Sequence, residues 1–252
     1  MRVSVTGAML VVLSLAGYGC VTESTGGLPE PAENAQRVQA HLDLARGYLE
    51  NRDLLRARPP LNRALEIDPR SVEAHVLMAV LNQAEDDSEL AEEHFASALR
   101  IEPSNAQALN NYGTFLYSQG RFEEAVDQLR QLVRDTDYRA RSQAYENLGL
   151  AELRVGNQAA AKQAFGRSLL LNSRQYRSSL ELADLAYAER AFEVAQEHYD
   201  NFRTGARPTP RSLCLGMKLA QIASDPDRLA SHALALQNLF PDSREAKQCR
   251  VP

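Results

Sequence analysis

Apolar residues recur along this chain at a spacing of 34 residues. Two consecutive windows share one order of small, large, small and turn-forming residues: Ala57, Leu61, Ala64 and Pro69 recur as Ala91, Phe95, Ala98 and Pro103. Spacings of three and four residues within each window predict amphipathic helices, and the proline marks the point at which a helix stops. A period of this length predicts stacked helix pairs that bury their apolar faces against one another.

The pattern resembles the tetratricopeptide repeat, a pair of antiparallel helices with small residues at positions 8, 20 and 27 and larger ones at positions 4, 7, 11 and 24. Small residues let helices approach closely, and proline at position 32 ends the second helix. With position 32 on Pro69, the resemblance implies an all-α fold, a right-handed superhelix of six helix–turn–helix repeats. These are residues 38–71, 72–105, 106–141, 142–175, 176–209 and 210–243. The third carries a two-residue insertion, and the sixth is a weaker match.

The first nineteen residues have the layout of an export signal, with one basic residue, an uncharged apolar stretch and then small residues. Gly19-Cys20 resembles a bacterial lipobox, although Gly17 and Tyr18 stand where Leu and a small residue are usual. The resemblance implies cleavage before Cys20 and lipidation of its thiol, and Val21 resembles an outer-membrane sorting signal. An ordinary cleaved signal and an uncleaved anchor stay open as alternatives.

Residues 20–37 are rich in Ser, Thr, Gly, Pro and Glu and contain few large apolar side chains. We expect them to form a lipidated cysteine followed by a flexible tether. Residues 244–252 follow the sixth repeat and are expected to form a C-terminal cap or tail.

Charge and composition narrow the class of partner. Lys+Arg of 28 against Asp+Glu of 33 give a net charge of −5, which argues against nucleic acid as a partner. The sequence contains no phosphate-binding Gly-rich loop, no Gly-x-Ser-x-Gly elbow and no His-Glu-x-x-His motif. We therefore expect a protein that is not an enzyme and that uses no cofactor or small-molecule substrate.

The five histidines fall at structural positions of the repeat. His41 and His75 stand at position 4, and His94, His198 and His232 stand at position 23. Equivalent side chains on stacked repeats start about 10 Å apart, so a zinc ion shared between repeats, with bonds near ~2 Å, would need specially convergent rotamers. We expect no metal site.

Stacked helix pairs create an extended concave surface that typically holds other proteins. In the tetratricopeptide family, first-helix positions such as 5, 9 and 12 line this groove. The resemblance implies a partner-binding groove of apolar, aromatic and polar residues: Leu42, Leu49, Val76, Val80, Asn110, Tyr117, Glu146, Leu150, Leu153, Leu180 and Tyr187. This mixture suits an amphipathic helix or an extended segment of a partner. Packing between repeats is the alternative role for each apolar residue.

Two cysteines remain if Cys20 is lipidated. Cys214 lies in the first helix of the sixth repeat, and Cys249 lies in the expected cap. Export would place both in a compartment that permits disulfides. A disulfide between them is possible if their Cα atoms come within about 7 Å, and free thiols are the alternative.

A more specific resemblance is found in and after the third repeat. It rests on three runs: Asn110-Asn111-Tyr112-Gly113-Thr114-Phe115-Leu116-Tyr117, Gly120-Arg121-Phe122-Glu123-Glu124-Ala125 and Tyr145-Glu146-Asn147-Leu148-Gly149-Leu150. These runs, the export signal, the six repeats and the total length resemble the type IV pilus biogenesis lipoproteins called PilF or PilW.

That resemblance implies a pilotin. Such a protein is lipid-anchored on the periplasmic side of the outer membrane of a Gram-negative bacterium. It binds subunits of the type IV pilus secretin and promotes their multimerisation, which pilus biogenesis and twitching motility need. The alternative is a periplasmic tetratricopeptide lipoprotein that scaffolds peptidoglycan or envelope assembly enzymes.

Overall fold

A computed structural model describes residues 31–249, whose regular elements are helices. The predicted signal, Cys20 and the first part of the predicted tether lie outside the described residues. The helices are α1 (Pro31–Glu50), α2 (Leu54–Ile67), α3 (Val72–Ala84), α4 (Ser88–Ile101), α5 (Ala106–Ser118), α6 (Phe122–Leu132), α7 (Arg141–Val155), α8 (Gln158–Leu171), α9 (Tyr176–Ala188), α10 (Phe192–Arg203), α11 (Pro210–Ile222), α12 (Pro226–Leu239) and α13 (Arg244–Gln248).

The first twelve helices form six pairs, α1 with α2 through α11 with α12, and each pair packs against the next. The first helices of repeats one to five also contact one another in succession, α1 with α3, α3 with α5, α5 with α7 and α7 with α9. Neighbouring helices are closest on the shorter, inner side of a curved stack, so the first helices line the concave side. The predicted all-α superhelix of six repeats is confirmed.

Close approach of the two helices in a pair depends on small residues. Position 20 holds a fully buried alanine in the first five repeats: Ala57, Ala91, Ala125, Ala161 and Ala195. At Gly149, a Cβ atom would lie 2.5 Å from the ring of Phe165, which is itself fully buried. The backbone of α7 therefore rests directly on an aromatic ring of α8.

All six pairs are closed by the same turn. The residue at position 15 has a positive φ in every repeat: Arg52 (57°), Asp86 (63°), Gly120 (78°), Gly156 (91°), Arg190 (61°) and Ser224 (55°). Glycine adopts this left-handed conformation without strain, whereas other residues lose about 1–2 kcal/mol. Stacking thus imposes one turn geometry on residues that do not all favour it.

The first helix begins earlier than the sequence analysis predicted. The polar composition of residues 31–37 predicts a flexible tether, but α1 already starts at Pro31. Proline is favoured in the first turn of a helix. The carboxylate of Glu33 in that turn interacts favourably with the positive end of the helix dipole. The Ala, Glu and Gln residues that follow are strong helix formers, so the predicted flexible coil is wrong for these residues.

The insertion after repeat three forms a loop between Leu132, where α6 ends, and Arg141, where α7 begins. The Nε of Arg141 donates to the backbone carbonyl of Val133 at 3.1 Å. Nearby, Arg130 donates twice to one oxygen of the buried Glu152, at 2.9 and 2.6 Å. The junction between repeats three and four is therefore longer than the others, but these side-chain hydrogen bonds fix its conformation.

Charged pairs join the second helix of one repeat to the turn of the next. Position 21 supplies one partner in three cases: Arg58 with Glu85, Glu92 with Arg121, and Lys162 with Glu189. Hydrogen bonds from Arg121 and Tyr112 lower the pKa of Glu92. Burial, reinforced by its bond to Glu92, raises the pKa of Tyr112 to about 12. Each pair helps to fix the angle between neighbouring repeats.

Two of the histidine contacts show that imidazole rings fill space within and between repeats. The Nδ1 atoms of His75 and His94 lie 3.0 Å apart, and the edge of the His232 ring faces Tyr199 at 5.7 Å. Burial is the main cause of the lowered pKa of His94 and of His232. Within residues 31–249, no three His, Cys, Asp or Glu side chains are grouped so as to hold a metal ion.

The short helix α13 packs against α11 and α12. It brings Cys249 beside Cys214, with the sulfur atoms within bonding distance and the Cα atoms 5.8 Å apart. This separation falls in the usual range for disulfides. The geometry supports the proposal that the two cysteines pair, which would clamp the cap onto the last repeat.

Replacement of Gly156 by Ala is expected to lower the free energy of unfolding by about 1 kcal/mol, because alanine resists the positive φ required there. Neither this position nor Gly166, inside α8, has an atom within 4 Å of an added Cβ. Gly166→Ala should therefore raise the free energy of unfolding by about 0.5–1 kcal/mol through helix propensity alone. Urea denaturation followed by circular dichroism measures both; effects of the same sign would contradict the turn argument.

For the cysteine pair, we expect the exported chain to expose no thiol of Cys214 or Cys249 to maleimide labelling in denaturant unless a reductant is added. Cys249→Ser should lower the free energy of unfolding of the oxidised protein by about 2–4 kcal/mol, because the covalent link no longer restricts the unfolded chain. Equal labelling with and without reductant would show that the thiols are free.

Candidate protein-binding groove

The concave surface is built from three positions of each first helix. Positions 5, 9 and 12 are spaced by four and three residues, so their side chains share one helical face. The inner placement of α1, α3, α5, α7 and α9 turns this face toward the hollow of the superhelix. We call this surface the groove.

Several predicted groove residues are buried between repeats. Leu42, Val76, Leu150 and Leu180 are each between 1% and 8% exposed. Val76, for example, packs with Ala98 of its own repeat and Ala108 of the next. These side chains shape the floor of the groove and have little surface left for a partner.

A second set of predicted residues is half-buried and so keeps surface free. It consists of Leu49, Val80, Asn110, Tyr117, Leu153 and Tyr187. Four of these six stand at position 12, toward the end of the first helix. The structure therefore divides the predicted residues into a packing layer, mostly at position 5, and an accessible row, mostly at position 12. We use the name accessible row for these six residues.

Tyr117 belongs to an aromatic cluster at the turn of repeat three, where α5 ends and α6 begins. Its ring meets that of Phe122 edge-on, with centroids 5.3 Å apart. The guanidinium of Arg154, from the next repeat, lies 4.0 Å from the Phe122 centroid and 5.9 Å from the Tyr117 centroid. Contacts of this kind hold an aromatic face in a fixed orientation.

The same arrangement recurs in repeat five. Tyr187 and Phe192 have ring centroids 5.6 Å apart, and the Nζ of Lys218 lies 5.7 Å from the Tyr187 centroid. Each unit combines an amphipathic tyrosine with a cation from the following repeat. The groove thus carries two oriented aromatic anchors, two repeats apart.

Glu146 has a different role from the polar contact predicted for it. Its side chain is buried, and its carboxylate accepts from the backbone N–H and the hydroxyl of Ser178 at 3.1 and 2.9 Å. Ser178 lies in the first turn of α9, whose preceding residue Gln175 makes no capping bond. Glu146 therefore caps the N-terminus of α9 from the neighbouring repeat, a role that local sequence does not indicate.

Sequence reasoning also missed charged pairs that cross between first helices. Arg46 pairs with Glu73, and Asp184 pairs with Arg211, in both cases position 9 with position 2 of the next repeat. The charges are reversed between the two junctions. Opposite charges spaced 27 residues apart are the signal that would have found them. Each pair crosses the groove between adjacent repeats and divides its apolar surface.

At the second of these junctions, Arg211 also donates to both oxygens of the buried Glu181 at 2.8 and 2.7 Å. This bond raises the pKa of Arg211, and burial raises the pKa of Asp184. Arg211 thus anchors the sixth repeat to two carboxylates of the fifth.

None of the helices described between residues 31 and 249 combines the length and apolarity needed to span a bilayer.

Comparison with known proteins agrees with this architecture. The family model for the tetratricopeptide repeat matches residues 42–101 and 77–144. The type IV pilus assembly protein PilF of Pseudomonas aeruginosa is 41% identical over 246 residues, which cover 97% of this chain and 98% of that protein.

Two solved structures are similar along most of their length. A structure from the functional characterisation of Pseudomonas aeruginosa PilF matches with a TM-score of 0.82 and 43% identity, covering 85% of this chain and 97% of that one. The crystal structure of PilW, described as a widely conserved type IV pilus biogenesis factor, matches with a TM-score of 0.72 and 25% identity over 84% and 98% of the two chains. The chain therefore belongs to the PilF family of tetratricopeptide-repeat proteins of type IV pilus biogenesis.

Proposed function

We propose that this protein is an outer-membrane pilotin, which binds subunits of the type IV pilus secretin in its groove and promotes their multimerisation. The observation that carries the proposal is the accessible row on the concave side, in a chain similar to PilF along almost its whole length. Its role is to bind and place a partner protein. Catalysis, a cofactor, nucleic acid and a small-molecule substrate have no part in it.

The chemistry of the accessible row suits a protein segment. Leu49, Val80 and Leu153 offer apolar surface, and Tyr117 and Tyr187 combine an apolar ring with a hydroxyl. Such side chains are typical anchors of protein interfaces. Because they follow one another along successive repeats, they fit an extended segment or an amphipathic helix of the secretin.

The early repeats add a cleft beside the groove. Its volume is about 650 Å³, and it is formed between α1, α3 and the loops that follow α2 and α4. Val38 and Val72 provide apolar lining, while Asp68, Glu73 and Glu102 provide carboxylates. A secretin segment that continues past Leu49 and Val80 would find here a site for a basic residue.

Lipidation of Cys20 would hold the solenoid close to the membrane. Ten residues separate Cys20 from Pro31, the first residue of α1, so the eleven steps between them can span at most about 40 Å. That is shorter than a tether reaching residue 37. A protein confined to this layer raises the local concentration of any subunit that it binds, which favours assembly.

The groove is tested by Leu49→Gln combined with Val80→Gln. We expect the double variant to keep its helical content but to lose most heat-resistant secretin multimers and surface pili when it replaces the wild-type chain. Leu55→Gln is the matched control, since Leu55 lies on α2 and is 86% exposed. Leu42 is unsuitable for this test, because a polar group at a buried site would unfold the first repeat. Normal multimers in the double variant would reject the groove assignment.

The anchor is tested by Cys20→Ala. We expect this variant to leave the membrane fraction and to reduce the amount of secretin multimers in the outer membrane, while the purified protein still captures secretin. Incorporation of radiolabelled palmitate should require Cys20. Failure of the wild-type chain to incorporate palmitate would show that the protein is not a lipoprotein and would leave the groove assignment untouched.

A further inference from the structure

A second concave site lies at the junction of repeats three and four. It is a cleft of about 780 Å³ between α6, α7 and α8. Its lining includes Tyr145, Leu148 and Glu152, which form one stripe along α7. The groove residues Glu146, Leu150 and Leu153 form a different stripe of the same helix. The two surfaces are therefore separate, and a partner could occupy both at once.

The cleft exists because repeat four has a small residue at position 23. Repeats two, five and six have histidine there, and in repeat two the imidazole of His94 reaches that of His75 at position 4. In repeat four the corresponding residues are Ala164 and Tyr145, so no side chain fills the space beside the tyrosine. Gly166 also faces open space, since no atom lies within 4 Å of a Cβ placed on it.

The stretch of chain that builds the cleft carries a net charge opposite to that of the whole chain. Residues 130–177 contain nine Lys and Arg against four Asp and Glu, a net charge of +5 in a chain of net charge −5. Two of the four carboxylates, Glu146 and Glu152, are buried and hydrogen-bonded. The other two, Asp135 and Asp137, lie in the loop between α6 and α7.

Two arginines at the cleft keep their charge available. Arg167 lines the main cleft and, with Arg141, a smaller extension of about 150 Å³ that reaches Leu170. Within the described part of the chain, neither arginine lies within 4.0 Å of a carboxylate. Leu170 is 75% exposed at the same edge. The site thus combines free positive charge with unburied apolar surface.

We infer that this cleft docks an acidic segment of a partner protein, which inserts one large apolar side chain between α7 and α8. The charges of Arg141 and Arg167 select acidic neighbours, and the space left beside Tyr145 accepts the inserted group. A flat bilayer surface would not reach the floor, where Leu148 and Ala164 are 7% and 4% exposed. The residues that line the cleft are not groove residues. Binding in the cleft is therefore independent of secretin binding in the groove.

The test uses the full chain in detergent and two fluorescein-labelled peptides, Asp-Glu-Asp-Phe-Glu-Asp-Glu and the same peptide with Ala in place of Phe. Fluorescence anisotropy at low salt should show that the Phe peptide binds about tenfold more tightly, because only its ring fills the cleft. Arg167→Glu and Ala164→His should each weaken binding of the Phe peptide by about tenfold, the first through charge and the second by filling the space.

Two matched controls separate the site from general effects. Arg63→Glu makes the same charge change at position 26 of repeat one, and Gln128→His places histidine at position 23 of repeat three. Both should leave binding unchanged, and circular dichroism should show intact helices in all four variants. Equal binding of the two peptides, or unchanged binding in both cleft variants, would overturn the inference. So would binding to phosphatidylglycerol vesicles that depends on Arg167 without peptide binding, which would identify a membrane contact.

Discussion

A single helix in this chain cannot bury its apolar face alone, and the whole structure depends on how closely the two helices of each pair approach one another before the pairs stack. Alanine and glycine at the helix contacts set the distance between the helices. Alanine at position 20 is fully buried in five repeats, and at Gly149 the backbone itself rests on Phe165. Larger side chains there would force the helices apart and change the curvature of the stack. The shape of the groove is therefore a consequence of the smallest residues in the chain.

This constraint also decides which groove residues can meet a partner. The first helices are so close that position 5 is mostly consumed by packing, as with Val76 against Ala108. Position 12, farther along the helix, remains accessible and carries Tyr117 and Tyr187. The groove is consequently a row of separated anchors, interrupted by the ion pairs between first helices. A row of this kind selects a partner by the spacing of its side chains as much as by their chemistry.

The fold was predictable from sequence because each repeat places the same residue types at the same positions. The start of α1 was not, since polar helix formers after Pro31 have the composition of a linker. The role of Glu146 was hidden for another reason. Its carboxylate caps a helix that begins 30 residues later, at Tyr176, and only the stacking of repeats brings the two together.

Among the candidate sites, the aromatic anchors of the groove could be predicted from their repeat positions, whereas the cleft at repeats three and four could not. It arises from an absence of bulk at Ala164, and a small residue gives no signal in a search for chemistry-bearing side chains. The arginines at its rim were also hidden in composition, because the net charge of the whole chain is negative. Comparing the same position across repeats recovers both features.

The cap formed by α13 gives the two ends of the solenoid unequal roles. In a linear array of repeats, the terminal repeats unfold first, because each of them packs against a neighbour on one side only. Among residues 31–249, α13 covers the last pair, while the first pair packs against α3 on one side. Within the described solenoid, fraying is therefore expected first at the end that carries Leu49 and adjoins the connection to Cys20. The end of the groove that carries Leu49 is therefore also the part whose order a bound partner would stabilise most.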